Sequence, residues 1–463
     1  MSERLKRRLF LQRSVTGVSA ASLFGCADDG PWQPLSGDTD PSRADVESTR
    51  GTFAGMIPLI DARKSQFGVI WPGTGDAATA GLDGSRVLDL SDADTHPQTP
   101  NDRFFIRTLT PPVLSTMSAD PAHWQIESVK YGQRRASQSL TALFDGLPTI
   151  TRDVLLECAG NHRFTGFGMM SAARFSGVTF ESVLRAGKLG FADNLPTLIA
   201  TATIKISGID YPAPTQRSDG RGNRMSYIFR IKDLIDDGAL LVNKMNGQPL
   251  PLNHGSPLRL VVPHWYGCTC IKWLNGFALV NSDERATPQM EEFAGRTGQS
   301  QHIVAAMKRQ RATDHRYSSQ HDRDVAYRDY DKRTETFTAD QYRPALIQRA
   351  ATPIRVERYV NGRQVWLRII GVAWGRPLDG DARPLQLRFQ NGRTGRTTEL
   401  RPVRSSEASA TDNATWSFWS FHWTPPAAYA DSIWAIQPRL TDHKPSRLNS
   451  TYYDRYFQFD TNG

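Results

Sequence analysis

Cysteine is scarce in this chain, with 4 in 463 residues. That is too few for a disulfide framework at this length. No C-x-x-C-H run occurs, so the chain has no haem attachment site of that kind. No block of basic residues interleaved with aromatics is present, which argues against nucleic acid as a partner. There is no internal repeat, heptad pattern or low-complexity array. The apolar stretch Ser14 to Gly25 is too short and too polar to span a membrane.

What is present is ordinary globular material. Hydrophobic residues make up 39% and charged residues 22%, and the length suits two or three domains. The 36 Gly, 28 Pro and 11 Trp point to turns and short strands rather than a helix bundle. The net charge of +9 is weighted toward the N-terminus.

Residues 1–25 read as a twin-arginine-type signal peptide. Arg7-Arg8 is followed by Leu9-Phe10-Leu11 and then the mildly apolar stretch. Such signals export proteins already folded, often around a cofactor. The expected location is therefore the periplasm or another exported compartment; the alternative is a disordered basic tail. Leu23-Phe24-Gly25-Cys26 resembles a lipobox, in which Cys26 would be lipidated and hold the protein on a membrane face. Loss of residues 1–25 removes five basic residues and one acidic residue, so the charge falls from +9 to +5. Residues 26–50 are polar and contain Pro and Gly, as a flexible tether would.

Three regions follow. Residues 51–295 mix apolar runs with Gly and Pro. "DVLLECAG", "TATIKISGI" and "PLRLVVP" predict strands. "SGVTFESVLRAGKL" predicts a helix capped by Thr179, with Phe180, Val183, Leu184 and Leu189 on one face. Residues 296–345 carry dense charge of both signs and few aliphatics, which predicts a solvated linker or insertion. Residues 346–463 predict an all-β, immunoglobulin-like sandwich, with turn signals at Asn361-Gly362 and Asn391-Gly392. In "WSFWSFHW" both faces carry aromatics, so that strand should be covered on both sides.

The chemistry concentrates in three stretches. In "LLECAGNHRFTG", Cys158 ends an apolar run and is followed by small, turn-forming residues. A thiol at the carboxyl end of a strand in an α/β region sits where ligands tend to bind. Most lone cysteines are nonetheless buried hydrophobes. In "NHGSPLRLVVPHWYGCTCIKWL", His254, Arg259 and Lys272 point to a polyanion such as a phosphate. In "TPNDRFFIRTLTPP", Arg107 follows Phe104-Phe105-Ile106, and an Arg beside buried aromatics needs an anionic partner.

Together, and in this order along the chain, these stretches resemble the sulfite oxidase family of molybdopterin-dependent oxidoreductases. The resemblance implies an α+β fold: a mixed α/β molybdopterin domain followed by an immunoglobulin-like dimerisation domain. It implies a molybdenum–molybdopterin cofactor with Cys158 as the protein's ligand to the metal. It places Phe105, Ile106, Arg107 and Thr108 against the cofactor, with Arg107 also lining an oxyanion pocket and Arg163 as a helper. "SGID" supplies Asp210, "HG-x-P-x-R" supplies His254 and Arg259, and "CIKW" supplies Cys270, Ile271 and Lys272. The implied reaction moves an oxygen atom to or from a small sulfur oxyanion such as sulfite. Electrons would pass to a separate carrier chain such as a c-type cytochrome, and the chain would form a homodimer.

The match breaks in two places. The family's Arg-Asn-His is here Arg107-Thr108-Leu109. Its active-site Tyr downstream of the Lys-Trp pair falls near Phe293, with Tyr266 as the candidate substitute. The alternatives are a reductase of S-oxides or N-oxides, and a non-enzymatic binding module on the same fold. Zinc at Cys268 and Cys270, with His254 and His264, has the wrong C-x-C spacing.

Overall fold

The computed structural model describes residues 51–60, 98–108, 120–161, 168–191, 194–209, 225–281, 343–347, 350–375, 385–391, 401–403, 416–425, 432–440 and 455–459, with residues 284, 286, 287, 289, 290, 293 and 297. The predicted signal segment, the tether with Cys26, and most of 296–345 lie outside these residues. Among the described residues no helix is long and apolar enough to cross a membrane.

The fold is strand-rich α+β in two units. In the first unit, one five-stranded sheet orders Gln248–Pro249, Leu240–Met245, Met170–Thr179 and Ile150–Glu157, with Arg259–Val261 also paired to Leu240–Met245. A second five-stranded sheet orders Gln133–Ser139, Gln125–Lys130, Leu274–Val280, Thr203–Gly208 and Ser226–Arg230. Short helices at Leu140–Phe144, Phe180–Arg185, Leu195–Thr201 and Ile231–Asp236 fill the connections.

The strand Ile150–Glu157 shows how the sequence aims its last residues. Side chains alternate faces along a strand. Val154 and Leu156 pack into one apolar cluster, and Cys158, next in the alternation, packs into the same one. Leu155 and Ala159 pack into the other. Both faces are therefore covered, which explains a continuous rather than alternating apolar run.

The predicted helix is shorter than its pattern. Only Phe180–Arg185 is helical, with Thr179 Oγ1 accepting from Ser182 N at 2.9 Å. It begins at the predicted cap, and Ser176 to Thr179 before it complete a ten-residue strand, where Gly177 allows close pairing: a Cβ there would stand 2.0 Å from Leu241 O. The helix stops early at its other end, where Gly187 turns at φ +68°. Leu189 is buried but lies in the turn beyond the helix.

The second unit is a β-sandwich. One sheet orders Thr52–Ile57, Ala350–Asn361, Gln364–Trp374 and Ser417–Trp423. The other orders Arg401–Val403, Leu385–Asn391, Ser432–Leu440, Arg455–Phe459 and Leu59–Ile60. Between them lie Val356, Leu367, Ile369, Trp419, Phe421, Leu387, Phe389, Trp434, Ile436 and Phe457. Trp423 stacks on Phe389 at 4.0 Å and meets Trp434 edge-on at 4.8 Å. In "WSFWSFHW", Trp419, Phe421 and Trp423 share the inward face, while Trp416 packs in the first unit's core.

Residues 51–60 belong to the sandwich and not, as their position in the chain predicts, to the cofactor domain: Thr52–Ile57 pairs with Ala350–Asn361, and Leu59–Ile60 pairs with Arg455–Phe459. These strands add an edge to each sandwich sheet, and pairing depends on exposed backbone groups rather than on sequence distance.

The two units share a buried seam. Ile370, Val372 and Trp374 alternate on the outer face of Gln364–Trp374 and join the first unit's core. That sheet is thus buried on both faces, by the sandwich core on one side and by the first unit on the other.

Candidate active site

Cys158 follows the strand Ile150–Glu157 directly, and its chain ends are fixed by backbone bonds. Its N–H donates to Met169 O at 2.9 Å, and its carbonyl accepts from Asn161 N at 2.8 Å. Gly160 N donates toward the sulfur at 3.4 Å. Asn161 is fully buried and closes the loop from inside: Nδ2 donates to Glu157 Oε1 at 3.1 Å, and Oδ1 accepts from Met169 N at 3.3 Å. The other oxygen of Glu157 accepts from Trp374 Nε1 at 2.8 Å. A residue of the sandwich, 217 positions away, therefore braces the residue preceding Cys158.

A cleft open to solvent lies over this loop. Cys158 lines it together with Phe105, Ile106, Arg107 and Thr108 from one segment. His254 and Arg259 enter from a second, and Cys270, Ile271 and Lys272 from a third. Three stretches far apart in sequence are thus brought to one place, with the thiol among their cationic side chains.

Each wall has a physical support. Phe104 stacks on Phe105 at 5.4 Å and meets the His254 ring edge-on at 5.4 Å. Phe105 N donates to Ser171 Oγ at 3.1 Å. His254 Nε2 is 3.2 Å from the Asn101 carbonyl, which holds the ring against the first wall. Lys272 Nζ donates to Thr108 Oγ1 and to Asn253 O, tying the third segment to the other two. Nζ also lies 4.6 Å from the centroid of the Trp273 ring, within cation–π range.

Gly255 permits this closure. Its φ is +107°, and a Cβ there would sit 2.8 Å from Lys272 Cβ and 2.9 Å from Lys272 Cα. Gly255→Ala is expected to cost about 1–3 kcal/mol in backbone strain and to push Lys272 away from Thr108. Denaturant unfolding measures the loss; a variant as stable as the parent would contradict the crowding.

Arg259 is the most informative cation. Only 6% of it is exposed, and its Nη1 donates to His254 O at 3.2 Å. Its Nε is buried with no hydrogen-bond partner among the described residues. Burial pulls the guanidinium below its ordinary pKa, opposed by the neighbouring Cys270. Burial likewise raises the Cys270 thiol, with Arg259 opposing. A buried guanidinium with an orphan donor is suited to an anionic group that enters the cleft.

Several expectations meet different fates. Arg163 and Asp210 lie outside the described residues. Tyr266 is fully buried in the first unit's core and does not line the cleft, which removes it as a stand-in for the missing tyrosine. Phe293 does line it: a Cβ placed on Gly160 would be 3.6 Å from Cys158 Sγ and 3.6 Å from Phe293 Cε1, so the ring flanks the thiol. Among the described residues no group of three or more His, Cys, Asp or Glu is placed to hold a metal ion, so Cys268, Cys270, His254 and His264 form no zinc cage.

Sequence reasoning missed Met225 and Gln289 in the lining and the Glu157–Trp374 brace. Only Glu157 left a signal, since an acid ending an apolar run must be buried with partners.

The residues present suit a molybdenum–pterin group. The thiol is a soft donor, suitable for a soft metal site, and the orphan Arg259 donor beside Lys272 and His254 suits a phosphate.

Residues 113–287 match the family model described as oxidoreductase molybdopterin binding domain. The chain is similar to mitochondrial sulfite oxidase of Mus musculus, at 29% identity over 214 residues that cover 42% of this chain and 36% of that protein. It is also similar to sulfite oxidase of Gallus gallus, at 27% identity over 212 residues covering 42% of each chain. Nitrate reductase (NADPH) of Emericella nidulans is 26% identical over 222 residues, 42% of this chain and 23% of that protein. The matched part therefore spans less than half of each of these curated relatives. In fold, the chain is similar to the sulfane dehydrogenase SoxCD from Paracoccus pantotrophus, with a TM-score of 0.52 and 14% identity over 96% of this chain and 95% of that one.

Proposed function

From the premise that residues 113–287 are a molybdopterin-binding domain of the sulfite oxidase family, we propose that the protein is an exported molybdenum–pterin oxidoreductase. It moves an oxygen atom to or from a small sulfur oxyanion. Its electrons pass to a separate carrier such as a c-type cytochrome, with no haem in this chain. The sandwich serves as a homodimer interface, and Cys26 as a lipid anchor in the periplasm.

The observation that carries this reading is the convergence of Cys158, Arg107, His254, Arg259 and Lys272 on one cleft. When bound, the cofactor supplies two-electron oxygen-atom chemistry. Cys158 holds the metal as a thiolate, and metal binding keeps it deprotonated. His254, Arg259 and Lys272 hold the phosphate end, with Asp210 on the pterin. Arg107, half-buried at the cleft, orients the incoming oxyanion, and Arg163 takes the helper role that the family resemblance gives it. A reductase of S-oxides is the second reading, favoured by Phe293 and Met225 on the cleft wall. These side chains give an organic substituent an apolar surface.

The test is metal analysis of the purified, cofactor-supplied protein, followed by turnover on sulfite, thiosulfate and S-oxides with artificial donors and acceptors. About one molybdenum per chain with oxidation of a sulfur oxyanion is the expected result. Reduction of S-oxides alone selects the second reading. A correctly supplied protein without molybdenum would sink both and leave a binding module.

A further inference from the structure

Gln289 lines the cleft but has no part in the reading above. It is 8% exposed, so its amide is shielded from water. Nε2 donates to the Cys268 carbonyl at 3.4 Å, which fixes the direction of the side chain. Oε1 is then left buried with no hydrogen-bond partner among the described residues. A buried acceptor in that state is costly, and such groups in folded proteins are normally paired with protein, water or ligand.

The chemistry of the missing partner follows from the acceptor. Oε1 requires an N–H or O–H. Sulfite and thiosulfate at neutral pH offer mainly oxygens that accept, as does a phosphate. Arg259 Nε supplies the complementary orphan, a donor, in the same cleft. Gln289 is bonded to Cys268, and Arg259 neighbours Cys270, so the short turn between these cysteines links the two orphans. A ligand that satisfies both presents acceptor oxygens on one part and an N–H on another. A pterin has ring and amino N–H groups, and its phosphate has the oxygens.

We propose that Gln289 is a cofactor-binding residue whose Oε1 accepts a hydrogen bond from an N–H of the pterin. The inference rests on the cleft being the molybdopterin site.

The test compares wild type with Gln289→Leu and Gln289→Glu, each prepared with and without cofactor supply. Bound pterin is measured by fluorescence after release, and its loss is timed in the native protein. Gln289→Leu should lose pterin about tenfold faster, the worth of one ordinary hydrogen bond. The variant that keeps an acceptor, Gln289→Glu, should recover part of that retention. In the cofactor-free form Gln289→Leu deletes the orphan acceptor and also the bond to the Cys268 carbonyl, two opposing effects, so its melting temperature should stay close to wild type. The KM of the loaded fraction should not move.

Wild-type pterin retention in Gln289→Leu would overturn the proposal. So would a changed KM with normal retention, which would turn the amide toward the substrate. Faster pterin loss that goes with a markedly lowered melting temperature of the cofactor-free variant, and that Gln289→Glu does not relieve, would overturn it in favour of a structural role through Cys268. If wild type itself holds no pterin under full supply, the reading of the cleft fails, an outcome distinct from failure of Gln289 alone.

Discussion

Cys158→Ser is expected to lower turnover by more than about a hundredfold while leaving a folded protein. Groups one step removed from a metal ligand are already worth ~10–100-fold, so the ligand itself should exceed that. Serine keeps the shape of the side chain but replaces a soft, readily ionised sulfur with a hard hydroxyl that stays protonated near neutral pH. The fold has little reason to change. The loop is held by the Cys158 N–H and C=O bonds and by Asn161, and none of these bonds uses the sulfur. Burial of a hydroxyl among Phe105, Leu156 and Met169 should cost about 1–2 kcal/mol. Steady-state turnover and denaturant midpoint, measured on one preparation, check both halves. Wild-type-like turnover would refute the ligand role.

The second large effect is on stability and concerns a residue with no chemistry of its own. Glu157 is fully buried, and each of its carboxyl oxygens accepts one bond, from Asn161 Nδ2 and from Trp374 Nε1. Glu157→Leu takes an acceptor from each of these two buried donors, at about 1–3 kcal/mol each, so a loss of ~2–6 kcal/mol is expected. Trp374→Phe removes only one donor and should cost less, about 1–3 kcal/mol. If the two residues act through one bond, the double variant loses less than the sum of the singles. Strict additivity would show that the bond does not couple the units. Because Asn161 also accepts from Met169 N, Glu157→Leu should further loosen the turn that presents Cys158 and lower molybdenum content. Metal analysis of the loaded variant is the measurement.

The contrast between these two residues shows what a single sequence discloses. Cys158 announced itself through local pattern: an apolar run, a thiol, then turn formers. Strand alternation alone places its side chain on the face of Val154 and Leu156. Arg107, His254, Arg259 and Lys272 were legible because cations beside apolar or Gly-Pro stretches must be explained by a ligand or a partner. Trp374 was not legible, since its bond to Glu157 spans 217 positions and nothing in "VAWG" marks the partner. Gln289 has the same difficulty, a neutral side chain whose meaning comes only from where its amide is left. Tyr266 failed for a different reason: its position near Cys268 suggested the cleft, but the backbone turns it into the core. The helix in "SGVTFESVLRAGKL" starts after Thr179, as its cap predicts, but stops at Arg185 before Leu189, where Gly187 turns at φ +68°.

The two short strands before residue 61 also impose an order on biosynthesis. Thr52 leaves the ribosome early but pairs with Val360, and Tyr456 pairs with Ile60. At ordinary elongation rates the first of these strands waits for ~300 residues, on the order of 15–60 s, before its partner exists. During that interval a nascent chain carries an unpaired β edge ahead of a largely complete cofactor unit, and such edges recruit other chains. The sandwich is thus the last part of the molecule to close, and its closure brings Trp374 to Glu157 as well. Formation of the brace beneath Cys158 is in this way deferred until the end of translation.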